Sequence, residues 1–152
     1  MQGNSESRAE ALARVGRFGE ALRELGRASG HAEPLGTQVL RAELLEHTGA
    51  YDEAVDLARR IVCARQLDNA RASRCEVVLG HIAMTAGRTG EALDRYRRAV
   101  SLATLAGDLE QLCWAQIRLV YAERTRVDLP GVRALLSDLR ANAFRLGNPH
   151  VT

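Results

Sequence analysis

The sequence predicts an all-α fold built from repeated helix pairs. Ala (24) and Leu (21), which enter helices at little cost, dominate the 152 residues, and only three Pro occur. A phrase in which Gly stands five residues before Ala occurs three times, at 16–21, 49–54 and 87–92. Apolar residues recur at helical spacing before and after each phrase. Each copy therefore indicates a helix, a tight turn and a second helix.

The copies recur with a period of roughly 35 residues, which is typical of stacked helical repeats. Each Gly of the phrase is expected to end a first helix with a positive φ, and each Ala to let the second helix approach closely. The small residues Ala9, Ala42 and Gly80, which come earlier in each copy, are expected to face that Ala. The positions that define the phrase are Gly16, Ala21, Gly49, Ala54, Gly87 and Ala92.

The third copy shows the pattern best. Thr89 is the expected N-cap of its second helix, and Glu91 lies in the first turn, where an acidic residue is favourable. Tyr96 is expected to fill the space around the small residues. By contrast, the polar opening of the chain, "MQGNSES", carries no fold signal.

The pattern resembles the tetratricopeptide repeat (TPR), a helix–turn–helix unit with small and large residues at fixed offsets. Residues 75–106 match best, through Leu79, Gly80, Gly87, Ala92, Tyr96 and Ala99. Residues 110–125 resemble the first helix of a fourth copy. Its aromatic, aliphatic and aromatic places are held by Trp114, Ile117 and Tyr121. Arg118 stands where the family has Gly or Ala, so either the fourth pair is splayed or Arg118 extends past a smaller neighbour.

The resemblance implies a right-handed α-α superhelix (solenoid) of about four antiparallel helix pairs. The expected single domain spans 1–152, with units at about 5–30, 34–66, 69–106 and 108–146. The last helix is expected to begin at Asp128 and Pro130. A repeat stack needs a polar cap at each end, and no capping helix follows Gly147. The chain is therefore expected to be a fragment of a longer array, or to pair with another copy through an uncapped end.

Composition argues against several classes of function. A net charge of +2 gives no general attraction to nucleic acid or to membranes, and no apolar run is long enough to span a membrane. Three Cys without metal-ligand spacing indicate a cytoplasmic protein with reduced thiols, and Cys75 and Cys113 are expected to be small buried thiols at equivalent places. His47 and His81 lack a third ligand or an acid–base partner. No enzyme activity, metal or cofactor is therefore expected.

The resemblance further implies that the first helices line a concave groove and that the second helices face outward. The groove residues carried over by position are Val39, Glu43, Glu46, His47, Val77, His81, Met84, Leu119 and Glu123. This surface is apolar in the middle and acidic towards one end, which suits a helix or extended segment with apolar anchors and a few basic residues. The carboxylate clamp of some relatives is not expected, because the chain has no Lys. The Arg-rich stretch at 94–99 is expected to be a solvated outer face.

The predicted function is a non-catalytic protein–protein interaction scaffold that binds a peptide or helix of a partner in this groove. Three alternatives stay open: a regulatory or sensor module of a larger bacterial transcriptional regulator or signalling protein, a self-assembling repeat module, and an RNA-binding helical repeat. Aromatic residues for base stacking are scarce, which does not favour nucleic acid as a partner.

Overall fold

The computed structural model describes residues 2–27, 33–64, 67–124 and 129–147. Across these ranges the chain forms eight helices and no strand, so the predicted all-α class is confirmed. The chain divides into two compact units, Met1–Leu67 and Asp68–Thr152. Asp128, which the sequence places at the start of the last helix, lies outside the described residues.

The first unit contains two helix hairpins. Its helices are α1 (Gln2–Arg14), α2 (Phe18–Arg27), α3 (Leu35–His47) and α4 (Tyr51–Val62). Within this unit α1 packs on α2, α2 on α3 and α3 on α4. Gly16 and Gly49 follow α1 and α3 with φ of 77° and 83°. These positive values allow the chain to reverse in a tight turn, because glycine adopts them without steric cost.

Small residues sit at the contacts between these helices. Ala9 and Ala21 are fully buried between α1 and α2, and Ala42 and Ala54 are fully buried at the corresponding positions of α3 and α4. The larger residues of the core around Ala9 and Ala21 are Leu25, Leu40 and Leu44. This alternation of small and large side chains fills the interior at close helix separation.

The second unit contains α5 (Asn69–Thr85), α6 (Thr89–Ala106), α7 (Leu109–Glu123) and α8 (Leu129–Leu146). α5 and α6 are antiparallel, because residues that meet across them run in opposite order. The Ser73 hydroxyl donates to the Ala99 carbonyl at 2.8 Å, while Gly80 lies against Tyr96. α7 packs on both α5 and α6, and α8 packs on α7.

The nearest neighbour of Gly80 is the ring of Tyr96, not Ala92 as expected. A Cβ at position 80 would lie 2.7 Å from a carbon of that ring. Tyr96 itself is almost fully buried. The ring therefore occupies the volume that a side chain at position 80 would take, and the close contact here is between glycine and an aromatic ring.

The start of α6 also differs from the expectation. α6 begins at Thr89 and its N-cap is Arg88, which makes no side-chain cap hydrogen bond. Thr89 is therefore the first helical residue and not the cap. Arg88 Nε instead donates to a carboxylate oxygen of Glu91 at 2.8 Å, which holds two charged side chains together across the first turn.

Aspartates cap α5 and α7, the two helices that open a hairpin in this unit. Asp68 Oδ1 accepts the Arg71 backbone N–H at 2.8 Å, and Asp108 Oδ1 accepts that of Gln111 at 3.0 Å. This is the hydrogen bond that a helix N-terminus needs, because its first amides have no partner inside the helix. The bond from the Arg71 amide, which favours the ionised carboxylate, lowers the pKa of Asp68 from its ordinary value.

The two hairpins of the second unit correspond to each other position by position. Asp68 caps the first hairpin and Asp108 the second. Gly107 and Gly147, separated by the same interval as the two aspartates, follow α6 and α8 with φ of 67° and 69°. Both ends of the hairpin therefore give one correspondence, in which position 68 matches 108 and position 107 matches 147. We call this correspondence the hairpin shift.

The hairpin shift corrects the sequence-based alignment of the fourth copy, which placed Cys113 at the position of Cys75 and Arg118 at that of Gly80. In the structure Val120 corresponds to Gly80, and Arg118 corresponds to Val78. The buried residues follow the same shift: Ser73, Cys75, Glu76, Leu79, Ile82 and Ala83 in α5 match Cys113, Ala115, Gln116, Leu119, Ala122 and Glu123 in α7. No small residue is therefore required at position 118.

Candidate binding surface

α7 exposes two large aromatic side chains on one face. Trp114 is 54% exposed and Tyr121 is 59% exposed, and the half-buried Ile117 lies between them. Residues three, four and seven apart share a helix face, so the three side chains form one stripe. Trp114 and Tyr121 were expected to fill structural positions, but both lie on the surface. The expectation was wrong because the sequence-based alignment of the fourth copy is shifted by two residues from the correspondence seen in the structure.

The corresponding stripe of α5 lies beside that of α7. By the hairpin shift, Val77 and His81 correspond to Ile117 and Tyr121, and all three of the α5 residues Val77, His81 and Met84 are half-buried. α5 packs directly on α7. The two stripes together make what we call the α5/α7 face. Its members are Arg74, Val77, His81 and Met84 on α5, and Trp114, Ile117, Tyr121 and Arg124 on α7.

A buried hydrogen bond fixes α5 against α7 beneath this face. Gln111 Nε2 donates to the Ser73 hydroxyl at 3.2 Å, and the same hydroxyl donates to the Ala99 carbonyl of α6. Three helices thus meet at Ser73, which is fully buried. Because buried polar groups are costly unless bonded, this junction holds the three helices in one register.

The α7 side of the face carries positive charge beside its aromatic rings. The Arg124 guanidinium lies 5.2 Å from the centroid of the Tyr121 ring, within the range of a cation–π contact. Arg118, one turn after Trp114, is half-buried and forms no ion pair with any described residue. Glu110, on the turn before Trp114, is the exposed acidic residue of this helix.

The remaining residues expected in the groove have different surroundings. Leu119 and Glu123 are buried, 4% and 8% exposed, on the core side of α7. Leu119 packs in the cluster around Tyr96, and Glu123 forms an ion pair with Arg97 of α6. Neither side chain is therefore accessible to a partner. The hairpin shift accounts for this, because it matches them to Leu79 and Ala83, which are buried in α5.

In the first unit, the four expected groove residues differ in their exposure. Val39 and Glu46 are buried, Glu43 is half-buried and His47 is exposed. The imidazole of His47 stacks on the ring of Phe18, with centroids 4.3 Å apart, and its Nε2 lies 3.7 Å from a carboxylate oxygen of Glu46. His47 therefore contributes to the packing of α3 against α2.

The Arg-rich stretch of α6 has a structural task that the sequence does not reveal. Arg95 Nη1 donates to Glu76 at 3.0 Å, and Arg98 Nη1 donates to the other oxygen at 3.4 Å. Glu76 is 1% exposed. A buried carboxylate is costly unless it is paired, so these two guanidinium groups compensate the negative charge of Glu76 inside the unit. The stretch is therefore more than a solvated outer face.

The described residues contain no group of three or more His, Cys, Asp or Glu side chains that would hold a metal ion. Burial raises the pKa of the Cys113 thiol, with the nearby Glu110 charge acting in the same direction, so the thiol is kept protonated. A shallow cleft of about 220 Å³ lies between α1 and α2. Its lining residues are Arg8, Leu12, Arg17, Glu20, Arg23 and Glu24. Among the helices described, none is both long and apolar enough to cross a membrane.

No protein-family model matches the chain, and no curated protein matches it. Solved structures do. The crystal structure of a putative kinesin light chain from Podosopora anserina, with nearly identical TPR-like repeats, is 20% identical with a TM-score of 0.64, covering 93% of this chain and 74% of that chain. The crystal structure of a point variant of the same protein is 17% identical with a TM-score of 0.52, covering 95% of both chains. The chain thus has a TPR-like helical-repeat fold, which confirms the resemblance.

Proposed function

We propose that this chain is a non-catalytic interaction scaffold whose α5/α7 face binds a peptide or a helix of a partner protein. The observation that carries the proposal is the exposure of Trp114 and Tyr121 on one helix face. Contiguous exposed apolar surface is uncommon on isolated proteins, and Trp and Tyr are frequent anchors of binding energy at protein interfaces.

The composition of the face supports the same role. Val77 and Met84 pack against the buried cluster of the unit and leave part of each side chain exposed. They add aliphatic surface on α5 to the exposed aromatic surface of Trp114 and Tyr121 on α7. A surface with aliphatic and aromatic side chains suits an amphipathic helix or an extended segment with alternate apolar residues.

Capture of a partner by the immobilised chain tests the proposal. Proteins retained by the wild type are expected to be lost with the double variant Trp114→Ser, Tyr121→Ser, because the aromatic anchors are removed while the core is untouched. The matched control is Leu105→Ser on α6, which is 71% exposed and lies outside the face. Equal retention by the wild type and the double variant would place the binding surface elsewhere.

Self-association is a second candidate, and one observation favours it. On α8, Phe144 is 87% exposed and Leu136 is 43% exposed. A second copy that covers these side chains would raise the molecular mass with concentration, as light scattering across a dilution series measures. A constant monomer mass excludes this candidate. The regulatory-module alternative stays a prediction, and the genomic sequence downstream of the coding segment tests it.

A further inference from the structure

We infer that the α5/α7 face takes an acidic polypeptide segment with apolar anchors, an inference that rests on the proposed function. The basic side chains on or beside the face outnumber the acidic ones. On α7 they are Arg118 and Arg124, against Glu110. A partner with carboxylates would complement this field, whereas the groove residues read from the sequence suggested a partner with basic residues.

Each aromatic anchor has a guanidinium beside it. Arg118 follows Trp114 by four residues on the same side of α7, and Arg124 lies over the Tyr121 ring at 5.2 Å. A carboxylate next to an apolar side chain of the partner would meet both groups of such a pair at once. Guanidinium groups suit this role, because they bind carboxylates through two parallel hydrogen bonds.

Other arginines of α5, α6 and the turn between them are already engaged with carboxylates. Arg95 and Arg98 pair with Glu76, Arg97 pairs with Glu123, and Arg71 and Arg88 pair with Asp68 and Glu91. Arg118 has no such carboxylate among the described residues, and Arg124 contacts a ring. The positive charge that a partner would find along α5, α6 and α7 is therefore concentrated beside the aromatic stripe.

The aliphatic part of the face favours a polypeptide over RNA. Bases need planar groups to stack on, and Val77, Met84 and Ile117 offer none. Trp114 and Tyr121 are seven residues apart on α7, which corresponds to roughly 10 Å along the helix axis. Apolar anchors seven residues apart on a partner helix have the same spacing. Such anchors flanked by Glu or Asp fit the face.

The fluorescence of Trp114 reports binding at this face directly, because Trp114 is the one Trp of the chain. Three Trp-free synthetic peptides serve as probes, each with two Leu seven residues apart on an Ala background and with Glu, Gln or Lys at the remaining polar positions. A mixed-sequence single-stranded RNA is the fourth probe. We expect the Glu peptide to shift the Trp114 emission and to bind at least about tenfold more tightly than the Lys peptide, with the difference shrinking as salt is raised.

Charge reversal supplies the second measurement. In the double variant Arg118→Glu, Arg124→Glu, the order of the Glu and Lys peptides is expected to invert. The matched control reverses two exposed arginines of α4, Arg59→Glu and Arg60→Glu, and should keep the wild-type order. Circular dichroism of both double variants verifies that helix content is unchanged.

The other outcomes separate this inference from the proposed function. If the Gln peptide binds as tightly as the Glu peptide, or the Lys peptide binds more tightly, the face binds peptides but the acidic preference is wrong. An emission shift with RNA and none with peptides overturns the choice of a polypeptide. If no probe shifts the emission, the face itself is not a binding surface, and the proposed function fails together with this inference.

Discussion

At the scale of single residues, one close contact sets the distance between α5 and α6. The ring of Tyr96 covers Gly80 so closely that a Cβ there would lie 2.7 Å from a ring carbon. A buried aromatic ring in a packed core has little room to move, so the two helix axes can approach only because position 80 has no side chain. The loss of stability when Gly80 is replaced by a larger residue therefore measures how closely α5 and α6 pack.

Gly80→Ala is expected to lower the free energy of unfolding by about 1–3 kcal/mol, the usual range for overpacking a core. The sign is informative, since Ala in a helix otherwise stabilises by roughly 0.5–1 kcal/mol relative to Gly. Gly90→Ala in the first turn of α6 is the matched control, because a Cβ there meets no atom within 4 Å. Denaturant unfolding measures both variants. A Gly80→Ala protein as stable as the control would contradict the close packing.

At this scale the sequence predicted turn residues better than contacts. The glycine at each turn can be recognised because few other residues adopt a positive φ, and Gly87 does so at 76°. The partner of Gly80 was not predictable, because periodicity places a residue on a face but does not say which side chain of the next helix reaches it. The pairing of Glu76 with Arg95 and Arg98 was missed for the same reason, since charged residues were assigned to the surface by default.

At the scale of helices, the rotation of α7 decides which of its residues lie on the surface and which support the core. The sequence-based alignment relied on the aromatic spacing of 110–125, because the Gly–Ala phrase is absent from the fourth copy. That spacing fits two rotations of the helix. The signal that selects the right one was available in the sequence: an Asp and a Gly at 68 and 107, and the same pair at the same interval at 108 and 147. Such a pair marks the first cap and the last turn of a hairpin.

The rotation of α7 predicts opposite effects for two neighbouring substitutions. Leu119→Ala is expected to destabilise the protein by about 2–4 kcal/mol, because it opens a cavity in the cluster with Tyr96. Tyr121→Ala, two residues further on, is expected to change stability by no more than about 0.5 kcal/mol, because the side chain is on the surface. Thermal or denaturant unfolding compares them. The alignment drawn from the sequence requires the reverse order, so a larger loss for Tyr121→Ala would restore it.

At the scale of the whole molecule, the class of fold was predictable and the chemistry of its surfaces was less so. Ala and Leu content, the repeated phrase and helical periodicity all point to helix hairpins, and the similarity to TPR-like structures confirms this class. Surface assignments depend on the rotation of each helix by single residues, where an error of two residues exchanges the core side and the open side. The aromatic and basic character of the α5/α7 face follows once α7 has the rotation that the structure shows.

One side of α8 carries arginine where the corresponding side of α6 carries apolar residues, and this difference bears on association between molecules. In α6, Leu93 and Val100 pack in or against the cluster shared with α7. The hairpin shift places Arg133 and Arg140 at these positions of α8, and both are exposed. Two guanidinium groups would have to be desolvated if another hairpin packed there as α7 packs on α6, which opposes this stacking mode of association.

The double variant Arg133→Leu, Arg140→Val copies the α6 residues onto α8 and is expected to associate. Its molecular mass by light scattering should rise with concentration towards a multiple of the monomer, and more steeply than that of the wild type. The matched control is Arg59→Leu, Arg60→Val on α4, which removes the same charges from another exposed helix face. Association of the control to the same degree would show that lost charge alone causes it. A variant that remains monomeric would mean that α8 lacks the stacking geometry of α6.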